Sequence, residues 1–208
     1  MIDIYVGIDP SINSTGMTVL TYEDNVLLSE HFYIIKPDKL TKKEAAAEEK
    51  HAAIFEYVLY EKFVNNEDKD NNSLTELCKT KNFMNILYKV KDILLKCKLK
   101  YNNNCYVHVC QEGISYGSTT KTRAVFDLAG LNFMLRYVVV KMGEELIIGT
   151  PGEIKKFASG NGNCKKDVMI GLFGAIHREL DLPKLDDIAD SYWMAKYAKY
   201  INDKNDKN

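Results

Sequence analysis

Apolar residues open the chain in a short dense run. Ile2, Ile4, Tyr5, Val6 and Ile8 suit a buried strand, and the run ends on Asp9. Pro10 stops it, and Ser11 to Gly16 carries turn chemistry. Thr18, Val19 and Leu20 then begin a returning antiparallel strand. Residues 2–9, 15–22 and 25–35 read as a three-stranded meander, its second turn at Glu23-Asp24-Asn25.

From Thr41 the pattern changes. Ala45, Ala46, Ala47, Ala52, Ala53, Ile54, Val58 and Leu59, set among Lys and Glu, predict one helix running to about residue 64. The polar stretch 65–72 reads as a surface loop within an insertion covering 65–81. A broad apolar face of Phe83, Ile86, Leu87, Val90, Ile93, Leu94 and Leu95 predicts a helix over 82–98. Residues 106–110 form another short strand, and Glu112 follows it as Asp9 follows the first. Residues 119–142 read as a long helix and 146–148 as a strand. Pro151 suits a first helical position with Thr150 as cap, giving a helix over 151–158. The glycines and asparagines of 159–163 make a loop, and helices fit 165–179 and 186–201. Residues 202–208 read as a polar tail. The order implies one α/β domain over 1–201, a central mixed five-stranded sheet flanked by helices.

Composition narrows the classes. With 208 residues, 46% hydrophobic and 27% charged, the chain has the makeup of a globular domain with a substantial core. No run approaches a membrane span, and the strand at the start leaves no room for a signal or transit peptide, so a cytoplasmic place is expected. Five cysteines without metal-ligand spacing read as free thiols in a reducing compartment, not a zinc site. The net charge of −1 gives no global pull toward nucleic acid, so polyanion binding requires local basic patches.

The candidate chemistry is acidic. Asp187 and Asp190 are three apart on a predicted helix and share a face. Asp186, Asp187 and Asp190 also suit the start of a helix, whose dipole favours acids, and a lone Asp9 or Glu112 suits a turn. Together the four acids support a different reading. Two carboxylates about 4 Å apart repel by about 4 kcal/mol at an effective dielectric of about 20. Four converging at one sheet edge would need protons or cations, and oxygen-only ligation selects Mg²⁺ or Mn²⁺. A pair of such ions is a standard device for phosphodiester hydrolysis.

Gly7-Ile8-Asp9-Pro10-Ser11 with Ser14-Thr15-Gly16, Gln111-Glu112-Gly113, and Asp187-Ile188-Ala189-Asp190 resemble the RuvC-type Holliday junction resolvases of the RNase H-like (retroviral integrase) superfamily. Asp127-Leu128-Ala129-Gly130-Leu131 and the segment from Thr150-Pro151-Gly152-Glu153 through Lys165-Lys166 resemble the family as well. The resemblance covers about residues 2–36 and 105–200 and is nearest to phage- or virus-encoded members, which would place the protein in the host cytoplasm or nucleoid. It implies an RNase H-like fold and a homodimeric endonuclease acting on branched DNA. Asp9, Glu112, Asp187 and Asp190 would be the catalytic metal ligands, holding about two Mg²⁺ or Mn²⁺ ions per site. Ser11 stands where the family often has Gly. Tyr116 is the nearest match to an aromatic that contacts the junction in bacterial members, one position further along.

Lys155, Lys156, Lys165 and Lys166 flank the glycine loop, and Lys121 and Arg123 follow Ser118-Thr119-Thr120; these are the candidate phosphate contacts. A solvated helix face explains any one of them nearly as well. His31, His51, His108 and His177 share no spacing and read as structural or surface residues. Three other readings stay open: a less selective nuclease acting on flaps or forks, a non-catalytic DNA-binding protein, and an actin- or hexokinase-like ATP-binding protein. The last requires a second glycine-rich phosphate hairpin, which is not evident, so no nucleotide cofactor is expected.

Overall fold

The computed structural model describes residues 1–66, 71–114 and 123–205. Six strands form one mixed sheet: β1 (Ile2–Asp9), β2 (Thr15–Glu23), β3 (Val26–Pro37), β4 (Phe55–Tyr60), β5 (Cys105–Glu112) and β6 (Glu145–Gly149). Their spatial order is β4-β3-β2-β1-β5-β6. The first three make the expected antiparallel meander. β4, β5 and β6 join parallel to their neighbours. The helices are α1 (Lys42–His51), α2 (Asn72–Lys100), α3 (Arg123–Lys141), α4 (Pro151–Ser159), α5 (Lys166–Ile176) and α6 (Leu185–Asn205).

Each strand's alternation sorts its side chains between two cores. Ile4, Val6, Ile8, Val107 and Val109 pack against α2 and α3. Tyr5, Leu20, Phe32, Ile34 and Cys110 pack against α6, α5 and α4. All five cysteines are free thiols. Among the described residues, no helix is long and apolar enough to cross a membrane.

The single helix expected from 41 to 64 is not formed. α1 ends at His51, and 55–60 form a strand paired with β3 from Phe32↔Phe55 to Pro37↔Tyr60. The aromatic run Phe55-Glu56-Tyr57 alternates buried, exposed, buried, a strand's period that the alanines before it masked. This extra edge strand makes the sheet six-stranded, not five. α2 begins at Asn72, capped by the Asn71 side chain, so the helix expected over 82–98 starts ten residues earlier, inside the 65–81 insertion. α6 runs to Asn205, so most of the expected polar tail is helix; Asn202 Nδ2 donates to the Tyr5 hydroxyl at 3.1 Å. The cap at Thr150 is as expected: its hydroxyl accepts from Glu153 N, and Glu153 reaches back to Thr150 N.

Candidate active site

β1 and β5 run parallel in register from Ile2↔Cys105 to Ile8↔Gln111. The next residues are Asp9 and Glu112, the last of their strands. Two adjacent parallel strands therefore end side by side on carboxylates. Strand alternation sends Ile8 and Val109 to the α2–α3 side and Cys110 to the α6 side, so Asp9 and Glu112 face α6. The turn after Asp9 is pinned by Thr15, whose hydroxyl donates to Ser11 O at 2.6 Å and accepts from Ser11 N at 3.2 Å.

α6 reaches these carboxylates because β1 and β2 leave room for its backbone. A Cβ on Gly7 would stand 1.8 Å from Ser191 O and 2.6 Å from Ala195 N; one on Gly16 would stand 2.3 Å from Asp187 O. Only glycine permits main-chain contact this close. The helix is then tied down by polar contacts: Thr18 Oγ1 and Ser191 Oγ share a buried hydrogen bond of 2.8 Å, and Ser14 Oγ donates to Asp187 Oδ2. Its N-terminal turns thereby bring Asp187 and Asp190 over the ends of β1 and β5.

The four acids feel one another. Burial, then repulsion from Asp190, Asp187 and Glu112, holds the Asp9 carboxyl well above the usual carboxylate range, with Lys166 opposing. Burial and Asp190 raise Glu112, against the pull of Lys155 and Lys166. Burial also raises Asp187, despite the Ser14 hydrogen bond, and Asp190, despite Lys166. Among the described residues, the Asp9 and Glu112 carboxylates accept no hydrogen bond. Nor, among those residues, are three acids, histidines or cysteines already drawn together tightly enough to ligate one ion. The acids share a field without yet forming a ligand sphere.

Two cavities flank Glu112. One of about 170 Å³ is lined by Glu112, Lys155, Lys166, Asp190 and Met194 among others. The other, of about 250 Å³, is lined by Asp9, Glu112, Val125, Leu128, Asn132 and Pro151 among others. The basic residues divide. Lys155 lines the first cavity, and Lys156 and Lys165 are solvent-facing. Lys166 is ion-paired to Asp190 at 3.1 Å and Asp186 at 3.2 Å. Tyr116 and Lys121 lie outside the described residues, and Arg123 opens α3. Arg136 was missed in the sequence: from α3 it donates to the main-chain O of Glu112 at 3.0 Å, tethering the end of β5. Ser14 belongs to the turn and to the Ser14-Thr15-Gly16 motif, and nothing local marks it as a partner of Asp187. Gln111, beside Glu112 but facing the other way, is fully buried, and neither of its amide atoms has a partner among the described residues.

No protein-family model and no curated protein matches the sequence. Solved structures do. RuvC from Thermus thermophilus superposes with a TM-score of 0.54 at 16% identity, over 99% of this chain and 97% of that one. The chain has the RuvC fold. It is the mixed-sheet, RNase H-like arrangement expected from the motifs. T. thermophilus RuvC in complex with Holliday junction substrate superposes with a TM-score of 0.51 at 14% identity, over 94% of this chain and 90% of that one. The yeast mitochondrial Holliday junction resolvase is more distant, with a TM-score of 0.44 at 12% identity, over 93% of this chain and 75% of that one.

The donor chemistry fits a hard divalent cation. Every candidate ligand is a carboxylate oxygen, two of them lack a competing hydrogen-bond donor among the described residues, and all four are raised in proton affinity by burial. Mg²⁺ and Mn²⁺ are the ions such oxygen sets select.

Proposed function

We propose that this chain is a metal-dependent endodeoxyribonuclease that resolves four-way DNA junctions and related branched DNA by phosphodiester hydrolysis. The observation that carries the proposal is that Asp9 and Glu112 end neighbouring parallel strands of a RuvC fold, with Asp187 and Asp190 of α6 near enough to raise the proton affinity of Asp9. In this reading the four carboxylates hold Mg²⁺ or Mn²⁺, two ions to a site. Such ions activate a water and stabilise the leaving oxygen of a phosphodiester.

The chain's own groups supply position. Asp9 and Glu112 sit on strand ends fixed by packing on both faces, so their separation does not depend on a loop. Asp187 is oriented by the Ser14 hydroxyl. Lys155, at the cavity rim, and Lys156 and Lys165, in solvent, hold DNA phosphates and set the strand over the acids. A four-way junction presents two equivalent strands while one chain carries one such site, so a homodimer belongs to the proposal.

The test is cleavage of end-labelled four-way, Y-shaped and linear duplex DNA with and without Mg²⁺. Paired, Mg²⁺-dependent nicks in the four-way substrate are expected, with linear duplex left intact. Equal cutting of all three substrates would make the protein a less selective nuclease. Tight binding without cutting in Mg²⁺ or Mn²⁺ would make it a binding protein on a nuclease fold.

A further inference from the structure

Lys166 is the first residue of α5, where a positive charge opposes the helix dipole. The preceding Lys165, at the capping position, makes no side-chain cap. Two lysines at a helix start are costly for the helix itself, so an explanation lies across the interface. There the Lys166 ammonium bridges Asp186 and Asp190 at 3.2 and 3.1 Å. The α5 backbone is fixed in that place: Met169 and Phe173 are buried against α6, and the Trp193 indole donates to Met169 O at 3.1 Å. Only the side chain is free to move, and it is half exposed at the rim of the Glu112–Asp190 cavity.

Asp186 alone would satisfy the lysine. It is the acid of the first turn of α6 that the proposed metal site does not use. Involving Asp190 places a cation on a carboxylate that the proposed function assigns to metal. The same charge acts on Asp9, Glu112 and Asp187, lowering the proton affinity of each.

We propose that Lys166 is a built-in placeholder cation. Its ammonium occupies Asp190 in the free protein, gives up that carboxylate when a divalent ion enters, and then serves a DNA phosphate. The inference rests on the metal-binding reading above and adds a regulation to it. Because one ammonium cannot pair with Asp190 and with phosphate together, DNA that draws the lysine away opens Asp190 to metal. By linkage, metal then tightens DNA to the same degree. The site is thereby kept weak for metal until a backbone is present.

The test measures Mn²⁺ binding to the full chain without DNA, by the loss of the free-ion paramagnetic resonance signal. Lys166→Met keeps the stem and removes the charge, with Lys166→Gln as a second variant should the first fold poorly. Both are expected to bind Mn²⁺ about five- to tenfold more tightly than the natural chain, a coupling of ordinary size. Lys166→Arg, which keeps the cation, should stay near the natural affinity. Equal Mn²⁺ affinity in the natural chain, Lys166→Met and Lys166→Gln would overturn the placeholder while leaving the metal site intact. No detectable Mn²⁺ binding to any of them would overturn the metal-binding reading and this inference with it.

Discussion

Gly7 on β1 lies directly beneath Ser191 on α6, with the space of one methyl group already filled by the Ser191 carbonyl oxygen. No rotamer change relieves that overlap, because the obstacle is main chain. Gly7→Ala must therefore lift α6 from the sheet, and the acids of its first turns with it. We expect a loss of at least about 3 kcal/mol, the upper end for overpacking, in denaturant unfolding. Gly171→Ala is the control: nothing lies within 4 Å of a Cβ there, and mid-helix alanine should be neutral or stabilising by about 0.5–1 kcal/mol. Similar stabilities for the two variants would mean that α6 is not seated on Gly7.

Asp9→Asn should make the metal-free protein more stable at neutral pH. The folded pKa of Asp9 lies above its unfolded value, so the folded state binds the proton more tightly. Its contribution is fully favourable below the unfolded value and is lost as pH rises through the folded one. At pH 7, above the unfolded value, the raised proton affinity makes this carboxyl a net cost to folding that asparagine removes. Thermal melts in chelator should show a higher Tm for the variant at pH 7 and a gap that narrows as pH falls toward 4. A lower Tm at every pH would show that Asp9 is stabilised by contacts its burial conceals.

Glu112→Gln separates binding from chemistry. The substitution keeps size and removes the charge from a strand end anchored by Arg136. Cleavage of four-way DNA at saturating Mg²⁺ should fall at least about a hundredfold, since water activation and leaving-group stabilisation both depend on the ions. Gel-shift affinity should persist, because phosphate contacts come from other residues. Natural-rate cleavage would exclude an essential charge at Glu112.

The basic rim is tested with Lys155, Lys156 and Lys165 replaced together by Ala. For every lysine that neutralises a phosphate, its removal should reduce the slope of log affinity against log salt by about 0.9. An unchanged slope would assign these lysines to solvent alone. Omitting Lys166 from the set keeps its pairing with Asp190 out of the measurement.

Much of the frame was readable from local pattern. The apolar runs of β1 and β5 and the helical spacing of Asp187 and Asp190 place the four acids on the correct elements. β4 was not readable, because Ala52 and Ala53 continue a good helical run into Phe55, and only pairing with β3 decides for strand. The reach of α6 to the sheet was also hidden. Gly7 looks like part of a motif, and its need for glycine comes from Ser191 far along the chain. Lys166 looks like one member of a basic cluster until α5 packs against α6 and sets it on Asp190.

The parity of the pleat restricts how this site can drift. Asp9 and Glu112 face α6 because each lies an even number of residues from a neighbour that does. A one-residue deletion within β5 would put Gly113 in the place of the acid and turn the charge into the apolar layer under α2 and α3. The strand-borne carboxylates can thus migrate only two positions at a time, and helix-borne ones by three or four. Lineages descending from such a chain are therefore expected to vary the acid on α6 more readily than those on β1 and β5. Insertions should accumulate beyond the strand ends, where they do not change the count.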